Sequence, residues 1–406
     1  MFCRAPAFRI QRRSFAASTL IHRAHYHGFV RAALPSGGAV RIPLSSPKVI
    51  GVAVSRGTRN YQEDGHSVCC LTMDAGELQT SLLKHHHLIW EPNTTERDLG
   101  SQVLYVGIYD GHGGAVVSDY LRRELQGLFE SVDKSQIPEV YAWVKSIGGY
   151  FKRYQGGVLA KWATENSPIS PPLDIESRAT LAFLQADKDI SMLKESSKQG
   201  STASVALLHS LDNPSKAFFA AGQIALTVAH CGDTRILLCS TDGGQVCAMT
   251  EDHHAETRRE AARLRRLGGT GLITDSFGEA RWMGALANTR GLGDKKFKPF
   301  GVTPEPEVRT KLLKGRDWGY IVFVSDGITS VLSDEEIVDL ARDASDPQQA
   351  ASTILSFAEE LGSEDNATVI VVPLAGWGRI HGPDKTKELR NYRRRQAEGS
   401  ERQRRM

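Results

Sequence analysis

The tightest constraint on this chain is where its carboxylates fall: several of its β-branched, apolar runs begin or end at an acid. Val103–Tyr109 leads straight into Asp110-Gly111-His112-Gly113-Gly114, and Tyr320–Ser325 leads into Asp326-Gly327. Glu364-Asp365-Asn366 stands immediately before Ala367–Val372. Runs of this kind, bounded by Gly, Asp and Ser, read as buried strands. In antiparallel neighbours, an acid at one strand's exit meets an acid at the next strand's entrance on a single sheet edge. Val49–Val54 is followed by Arg59-Asn60-Tyr61-Gln62-Glu63-Asp64, which adds two carboxylates and a cation. Five carboxylates cannot all ionise at one spot without compensating positive charge. Hard divalent ions supply it, and Mg²⁺ or Mn²⁺ suits carboxylates, carbonyls and water. Gly111 fits the same picture, since no Cβ stands between its carbonyl and an ion.

The remaining pattern places these acids in one domain. Thr202–Leu208, Ile224–Ala229 and Arg235–Cys239 are further short β-branched runs. Ala115–Val132 spaces Val116, Tyr120, Leu121, Leu125, Leu128 and Phe129 as a helix does, and Ile175–Leu193 and Glu256–Leu267 behave alike. Ser333 before Asp334-Glu335-Glu336 is a capping-box start, and Pro347–Leu361 makes another helix. Strands in hairpin-like groups favour antiparallel sheets covered by helices over a βαβ repeat. Residues 71–100 and 133–172 are polar or Gly/Pro-rich and read as loops or insertions. The chain is expected to divide into a basic arm at 1–45, a catalytic domain at 46–376 and a basic tail at 377–406.

Net charge is +3 but unevenly spread. Residues 1–62 hold ten Lys and Arg and no acid, while 385–406 carries +6, which leaves the body between them at −13. An acidic body of this kind is a poor nucleic-acid binder and a good carrier of divalent cations. The acid-free N-terminus interleaves Arg and Ser with bulky apolar residues, the composition of a mitochondrial transit peptide, and Arg13-Ser14-Phe15-Ala16-Ala17-Ser18 resembles a matrix-processing site. A mitochondrial location, matrix or intermembrane space, is expected; the bland alternative is a disordered basic arm. The C-terminal run with Arg393-Arg394-Arg395 reads as a solvated tail. No apolar stretch reaches the roughly eighteen residues of a membrane span. Six cysteines without a CxxC pair form neither a disulfide framework nor a zinc ribbon, which suits a reducing compartment.

Phosphate-loop, dinucleotide, nucleophile-elbow and zincin signatures are all missing from the sequence. Present instead, in this order across 59–368, are Arg-x-x-x-Glu-Asp, Asp-Gly-His-Gly-Gly, Gly-Ser-Thr-Ala, Cys-Gly-Asp-Thr-Arg, Thr-Arg-Gly-Leu-Gly-Asp, Ser-Asp-Gly-Ile and Asp-Asn-Ala-Thr. Over roughly residues 48–375 the sequence resembles the metal-dependent protein phosphatase 2C family. The resemblance implies an α+β fold, a four-layer αββα sandwich of two antiparallel sheets flanked by helices. It implies that Asp110 bridges two Mg²⁺ or Mn²⁺ ions, one of them also held by the Gly111 carbonyl. Asp326 and Asp365 would complete the other ion's shell, and Glu63 and Asp64 would bind directly or through metal waters. Asp233 matches the position of a weaker third ion. Arg59 would grip the substrate phosphate with its planar fork, and His112 would protonate the leaving serine or threonine oxygen. The implied reaction is in-line hydrolysis of a phosphate monoester by a metal-bridging water, without a covalent phosphoenzyme. Implied substrates are phosphoserine and phosphothreonine proteins, with a mitochondrial dehydrogenase complex such as pyruvate dehydrogenase as first candidate.

The sequence departs from the family pattern after Asp252, where the usual Lys-Pro is replaced by His254-Ala255. Residues 268–288, with Trp282 and Met283, occupy the place of a variable flap that would hold either substrate contacts or packing. His85-His86-His87 reads as a solvated loop before a metal site. The cysteines read as small buried residues, since no CxxxxxR loop is present. Two alternatives stand beside a protein phosphatase: a metal-dependent phosphatase of a small metabolite, and a non-catalytic binding module. The module would predict loss of Asp110, Asp326 or Asp365, and all three are present.

Overall fold

The computed structural model describes residues 26–34, 36–92, 97–163, 172–265, 272–274 and 280–404. The chain opens with strands β1 (Phe29–Ala33), β2 (Ala39–Pro43), β3 (Gly51–Ser55) and β4 (Gly65–Thr72). Helices α1 (Ala75–His86) and α2 (Arg97–Gly100) lead to β5 (Gln102–Tyr109), β6 (Gly111–His112) and α3 (Val116–Ser131). Then come α4 (Ile137–Ser146), α5 (Ala160–Ala163), α6 (Ile175–Ile190), β7 (Gly200–Ser201), β8 (Ala203–Ser210), β9 (Gln223–Cys231), β10 (Arg235–Ser240) and β11 (Val246–Ala248). After α7 (Arg258–Arg265) lie β12 (Leu272–Thr274), β13 (Ala280–Trp282), β14 (Leu292–Gly293), β15 (Glu307–Lys314) and β16 (Trp318–Val324). The last elements are α8 (Asp326–Thr329), α9 (Asp334–Ala341), α10 (Pro347–Glu360), β17 (Ala367–Pro373) and α11 (Lys387–Arg404).

Two five-stranded antiparallel sheets form the centre, in the orders β15-β9-β8-β5-β4 and β11-β10-β16-β17-β3. Side chains alternate across each strand, so a strand buried on both faces reads as an unbroken apolar run. Along β5, Leu104, Val106 and Ile108 enter the core between the sheets with Ile321, Phe323, Ile370 and Val372. Tyr105 and Tyr109 point the other way, onto Leu121, Leu125 and Phe129 of α3 and Phe183 of α6. Val322, Val324, Val369 and Val371 pack outward on Ile337 of α9 and on Ile354 and Phe357 of α10. The result is the expected αββα sandwich. Ser333 caps α9 with the reciprocal bonds of a capping box to Glu336.

Several stretches differ from the sequence reading. Residues 71–100, expected as a loop, contain α1. Asp74 caps it by accepting from the Glu77 N–H, and Leu78 and Leu82, one turn apart, supply its buried side. Residues 133–172 likewise contain α4, whose Ile137, Val140 and Val144 recur at helical spacing behind Pro138. The structure starts before residue 46: the β1–β2 hairpin lies outside the expected catalytic domain, yet Val30 and Leu44 join the core between the sheets. The tail stays largely exposed but is not a free coil. It forms α11, in which Arg393 donates to Glu336 at 2.6 Å and Arg394 donates to Glu360 at 2.7 Å. Residues 1–25, with the proposed processing site, lie outside the described residues.

The helical layer over β5 is tied by a buried ion pair. Arg178 of α6 donates through Nε and, at 2.8 Å, through Nη2 to Glu77 of α1, and through Nη1 to the carbonyls of Phe129 and Val132, both at 2.9 Å. Removing one partner of a buried pair leaves the other charge uncompensated, which costs far more than losing a surface pair. Arg178→Ala is therefore expected to lower the unfolding free energy by about 3–5 kcal/mol, read by urea denaturation with circular dichroism. A loss under about 1 kcal/mol would class this pair with exposed ones.

Candidate active site

The antiparallel registers bring the strand-end acids together. Gly65 pairs with Tyr109, which puts Asp64 and Asp110 side by side at one end of the first sheet. Val324 pairs with Val369, and the Ser325 N–H donates to the Thr368 carbonyl, so Asp326 and Asp365 meet at the same end of the second sheet. Asp233 lies in the short connection between β9 and β10. Asp110, Asp233, Asp326 and Asp365 line one cleft, together with Arg59, His112, His254, Arg290 and Asp294.

Electrostatics in the cleft follow from crowding like charges. Asp110 Oδ2 accepts from the Asp326 N–H at 3.4 Å. Burial first, then the Asp326, Asp64 and Asp233 carboxylates, push Asp110 well above the ordinary carboxylate range. Burial likewise pushes Asp326 up to about 7, helped by Asp233, Asp365 and Asp64. Asp64 is pushed up to about 6 by burial, although Thr368 and Ser325 donate hydroxyl hydrogen bonds to its Oδ2 at 2.7 and 2.8 Å. Its other oxygen, Oδ1, is buried without a hydrogen-bond partner. Asp233 goes the other way: burial opposes ionisation, but His254, Asn288 and His112 outweigh it and hold the carboxyl below its usual value.

An orphaned carboxylate oxygen, beside carboxyls that burial and one another's charge push to higher pKa, is the donor set that hard divalent cations fit. No three of the strand-end acids among the described residues place ligand atoms within 4.8 Å of one another. The group that does is His85, Asp174 and Glu176, remote in the chain from these acids. There the His85-His86-His87 triplet closes α1 rather than forming a loop, and Lys84 already donates to Asp174 at 2.6 Å. Gly111 is required by packing: a Cβ there would lie 2.5 Å from the Glu63 carbonyl oxygen and 2.8 Å from Ser118 Oγ.

Arg59 stands at the exposed mouth of the cleft, its Nη2 donating to Asp365 Oδ2 at 2.7 Å. Glu63 is placed by its backbone, whose N–H donates to Asn366 Oδ1 at 2.6 Å. Asn366 Nδ2 in turn donates to the carbonyls of Arg56 and Tyr61 and so shapes the whole 56–63 loop. The sequence reading gave Asn366 no role of its own; its signal was its place in the Asp-Asn-Ala-Thr motif. Asp294 was missed in the same way, at the end of Thr-Arg-Gly-Leu-Gly-Asp. Its Oδ2 is 2.8 Å from His112 Nε2. Burial works against a charged ring, but Asp294, with Asp233 and Glu63, lifts the His112 pKa above the usual imidazole value.

Asp294 is itself anchored. Its backbone is left-handed, with φ of 48°, and its N–H donates to the Gln199 carbonyl at 3.0 Å. The loop that carries it is clamped by Glu260 of α7, which accepts from Arg290 at 2.7 Å, Arg263 at 2.6 Å and the Thr289 hydroxyl at 2.7 Å. The flap is partly described: β12 and β13 pair, and Trp282 is buried with its Nε1–H donating to the Phe300 carbonyl at 3.1 Å. Trp282 is packing, whereas residues 266–271 and 275–279 lie outside the described residues. His253 accepts from the Gly232 N–H at 3.0 Å and stacks on His230; at the departure itself His254 Nε2 lies 3.1 Å from Asp233 Oδ2 and Ala255 is buried. Cys69, Cys70, Cys231 and Cys239 are buried, and burial pushes the Cys231 thiol up to about 12, far from a reactive thiolate.

A sequence profile for the family described as Protein phosphatase 2C matches residues 72–367. Protein phosphatase 2C homolog 4 of Schizosaccharomyces pombe is 33% identical over 375 residues, which cover 90% of this chain and 91% of that protein. Protein phosphatase 1K, mitochondrial, of Xenopus laevis is 31% identical over 281 residues, covering 69% of this chain and 63% of its own length. Among solved structures, serine-threonine phosphatase 2C from Toxoplasma gondii superposes with a TM-score of 0.55 at 18% identity, covering 86% of this chain and 99% of that one. A C. elegans sex determining protein does so with 0.52 at 22% identity, covering 82% and 66%. These likenesses establish the fold.

The Glu260 clamp makes a pH-dependent prediction. Burial resists its charge, but Arg263 and Arg290 win and hold Glu260 at about 2, below its usual 4.5. A depressed carboxylate adds stability that is present above the unfolded pKa and is lost as pH falls through the folded one. Glu260→Gln should cost about 3 kcal/mol at neutral pH. The gap to the native protein should narrow steadily below pH 4.5 in urea denaturation series. A gap that does not change with pH would show that the charge is not its source.

Proposed function

We propose, on the premise that the chain belongs to the protein phosphatase 2C family and is a protein-serine/threonine phosphatase, that its strand-end acids hold two Mg²⁺ or Mn²⁺ ions. The family is metal dependent in general. The observation that supports this reading is the cluster of Asp110, Asp326 and Asp64, three carboxyls whose pKa values are all raised, with one buried oxygen left unpartnered. In this reading Asp110 and the Gly111 carbonyl would hold the ions together with Asp326 and Asp365, and Glu63 and Asp64 would bind directly or through metal waters. Asp233 belongs to a third, weaker position. Divalent ions so held neutralise phosphoryl oxygens and make a hydroxide equivalent available near neutral pH.

The protein's own groups do the rest. Arg59 pairs with Asp365 in this structure; once that carboxylate is engaged elsewhere, the guanidinium is free to fork onto the substrate phosphate and to oppose the charge of the transition state. Asp294 raises the His112 pKa; the charged ring would commit one N–H to that carboxylate and keep the second for the leaving serine or threonine oxygen. Asp294 thus acts as an orienting partner, holding the proton on the ring until the leaving group needs it. Family membership favours a protein substrate over a small metabolite, and the intact acid set disfavours a non-catalytic module.

The acid-free N-terminus, together with the likeness to a relative named as mitochondrial, supports import into mitochondria and phosphoproteins there as substrates, a dehydrogenase complex such as pyruvate dehydrogenase first among them. Residues 1–45 fused to a fluorescent reporter should be imported in a potential-dependent manner and trimmed; a reporter left in the cytosol would overturn the address. For the reaction, hydrolysis of a phosphothreonine peptide should require Mg²⁺ or Mn²⁺, stop with EDTA and fall by at least about a thousandfold in Asp110→Asn. Activity that survives chelation would sink the metal-dependent reading.

A further inference from the structure

The cleft wall carries a donor set that the two-ion reading does not use. His254 Nε2 lies 3.1 Å from Asp233 Oδ2, with the Asp233 side chain 12% exposed. The Asn288 side chain sits near enough to help hold the same carboxylate below its usual pKa, while its Oδ1 is buried without a partner. The arrangement is built into the backbone. His254 and Asn288 form an antiparallel bridge, and the Thr289 N–H donates to the His253 carbonyl at 2.9 Å. This bridge therefore brings an imidazole nitrogen and an orphaned amide oxygen near one carboxylate, at the edge of a cleft open to solvent.

We propose that Asp233, His254 and Asn288 form a mixed nitrogen–oxygen site that selects a divalent transition-metal ion over Mg²⁺. The inference rests on the reading of Asp233 as a cation ligand and adds the nature of the cation. Mg²⁺ prefers an all-oxygen shell and keeps its waters, whereas Mn²⁺ and the later first-row ions accept imidazole. A bound ion would take the Nε2 lone pair in place of the hydrogen between Nε2 and Asp233, and that proton would pass to solvent. The amide oxygen of Asn288 then gains the partner it lacks. The strand-end acids hold oxygen ligands alone, so the two positions differ in kind, and the outer one is where this chain discriminates between metals.

The test uses the full chain and Mn²⁺ as the probe, in the presence of saturating Mg²⁺. Pulsed electron paramagnetic resonance of the bound Mn²⁺ should show ¹⁴N modulation from a coordinated imidazole. The modulation should vanish in His254→Ala and in His254→Gln, and persist in His112→Ala. The glutamine variant can still hydrogen-bond Asp233, so loss there is not a loss of fold; matched circular dichroism checks this. The Mn²⁺ dissociation constant of this position should rise by about tenfold or more in either His254 variant. Mn²⁺ bound with no nitrogen modulation, or with modulation unchanged in both variants, would overturn the inference and leave the two-ion reading standing. Mn²⁺ bound at no position, with or without Mg²⁺, would remove both.

Discussion

Mutual repulsion among carboxylates is the constraint around which this molecule is organised. Asp64, Asp110, Asp233, Asp326 and Asp365 come from different strand ends, and the sandwich forces them together because its two sheets share one core and one open end. Burial and their neighbours' charge raise the pKa values of Asp110, Asp326 and Asp64 together. The rigidity needed to hold like charges in place comes from the continuous apolar strands behind them, each buried on both faces. A softer scaffold would relax by spreading the acids, and a site for divalent ions would be lost.

The support for His112 shows how far such organisation reaches. The ring is oriented by Asp294, whose loop is clamped through Arg290 and Thr289 to Glu260 on α7. Gly293, beside Asp294, donates its N–H to Asp187 of α6 at 2.8 Å, and Lys298 neutralises that carboxylate at 3.1 Å. The proton on one imidazole is thus set by an ion network with anchors in two helices. Its carboxylates Asp294, Glu260 and Asp187 are buried and paired, so the network behaves as a unit in which no single contact can be removed cheaply.

How much of this the sequence displayed depended on how local the cause was. β5, β16 and β17 were legible because burial on both faces leaves an unbroken apolar run. β4 and β15 were not: β4 opens on Gly65, His66 and Ser67, and β15 is an edge strand with the polar run Arg309-Thr310-Lys311 at its middle. The strand-end acids were legible by position, and the structure gathers them at one end. Asp294 and Asn366 were not, although both sit in motifs the sequence displays, because their roles are set by distant partners. Neither a left-handed backbone at Asp294 nor an amide of Asn366 bridging Glu63, Arg56 and Tyr61 leaves a periodic trace. α1 was hidden because its apolar side is only Leu78 and Leu82, and its tie to the core runs through the Glu77–Arg178 pair, whose members lie far apart in sequence.

The charge division between body and tail has a structural use that composition alone could not specify. A basic run beside an acidic body was read as solvated, since exposed charges rarely repay the entropy of ordering them. Here the acids it meets are not all exposed. Glu336, which closes the capping box of α9, is 2% exposed and accepts from Arg393 at both carboxylate oxygens. Arg394 reaches Glu360 while its guanidinium lies 5.2 Å from the centre of the Phe357 ring, and Arg390 is locked to Asp384 at 2.6 Å. A partly desolvated carboxylate rewards a planar, bidentate donor more than a surface one does. Arginine, not lysine, makes these contacts, and α11 therefore docks across α9 and α10, on the face of the second sheet turned away from the core between the sheets.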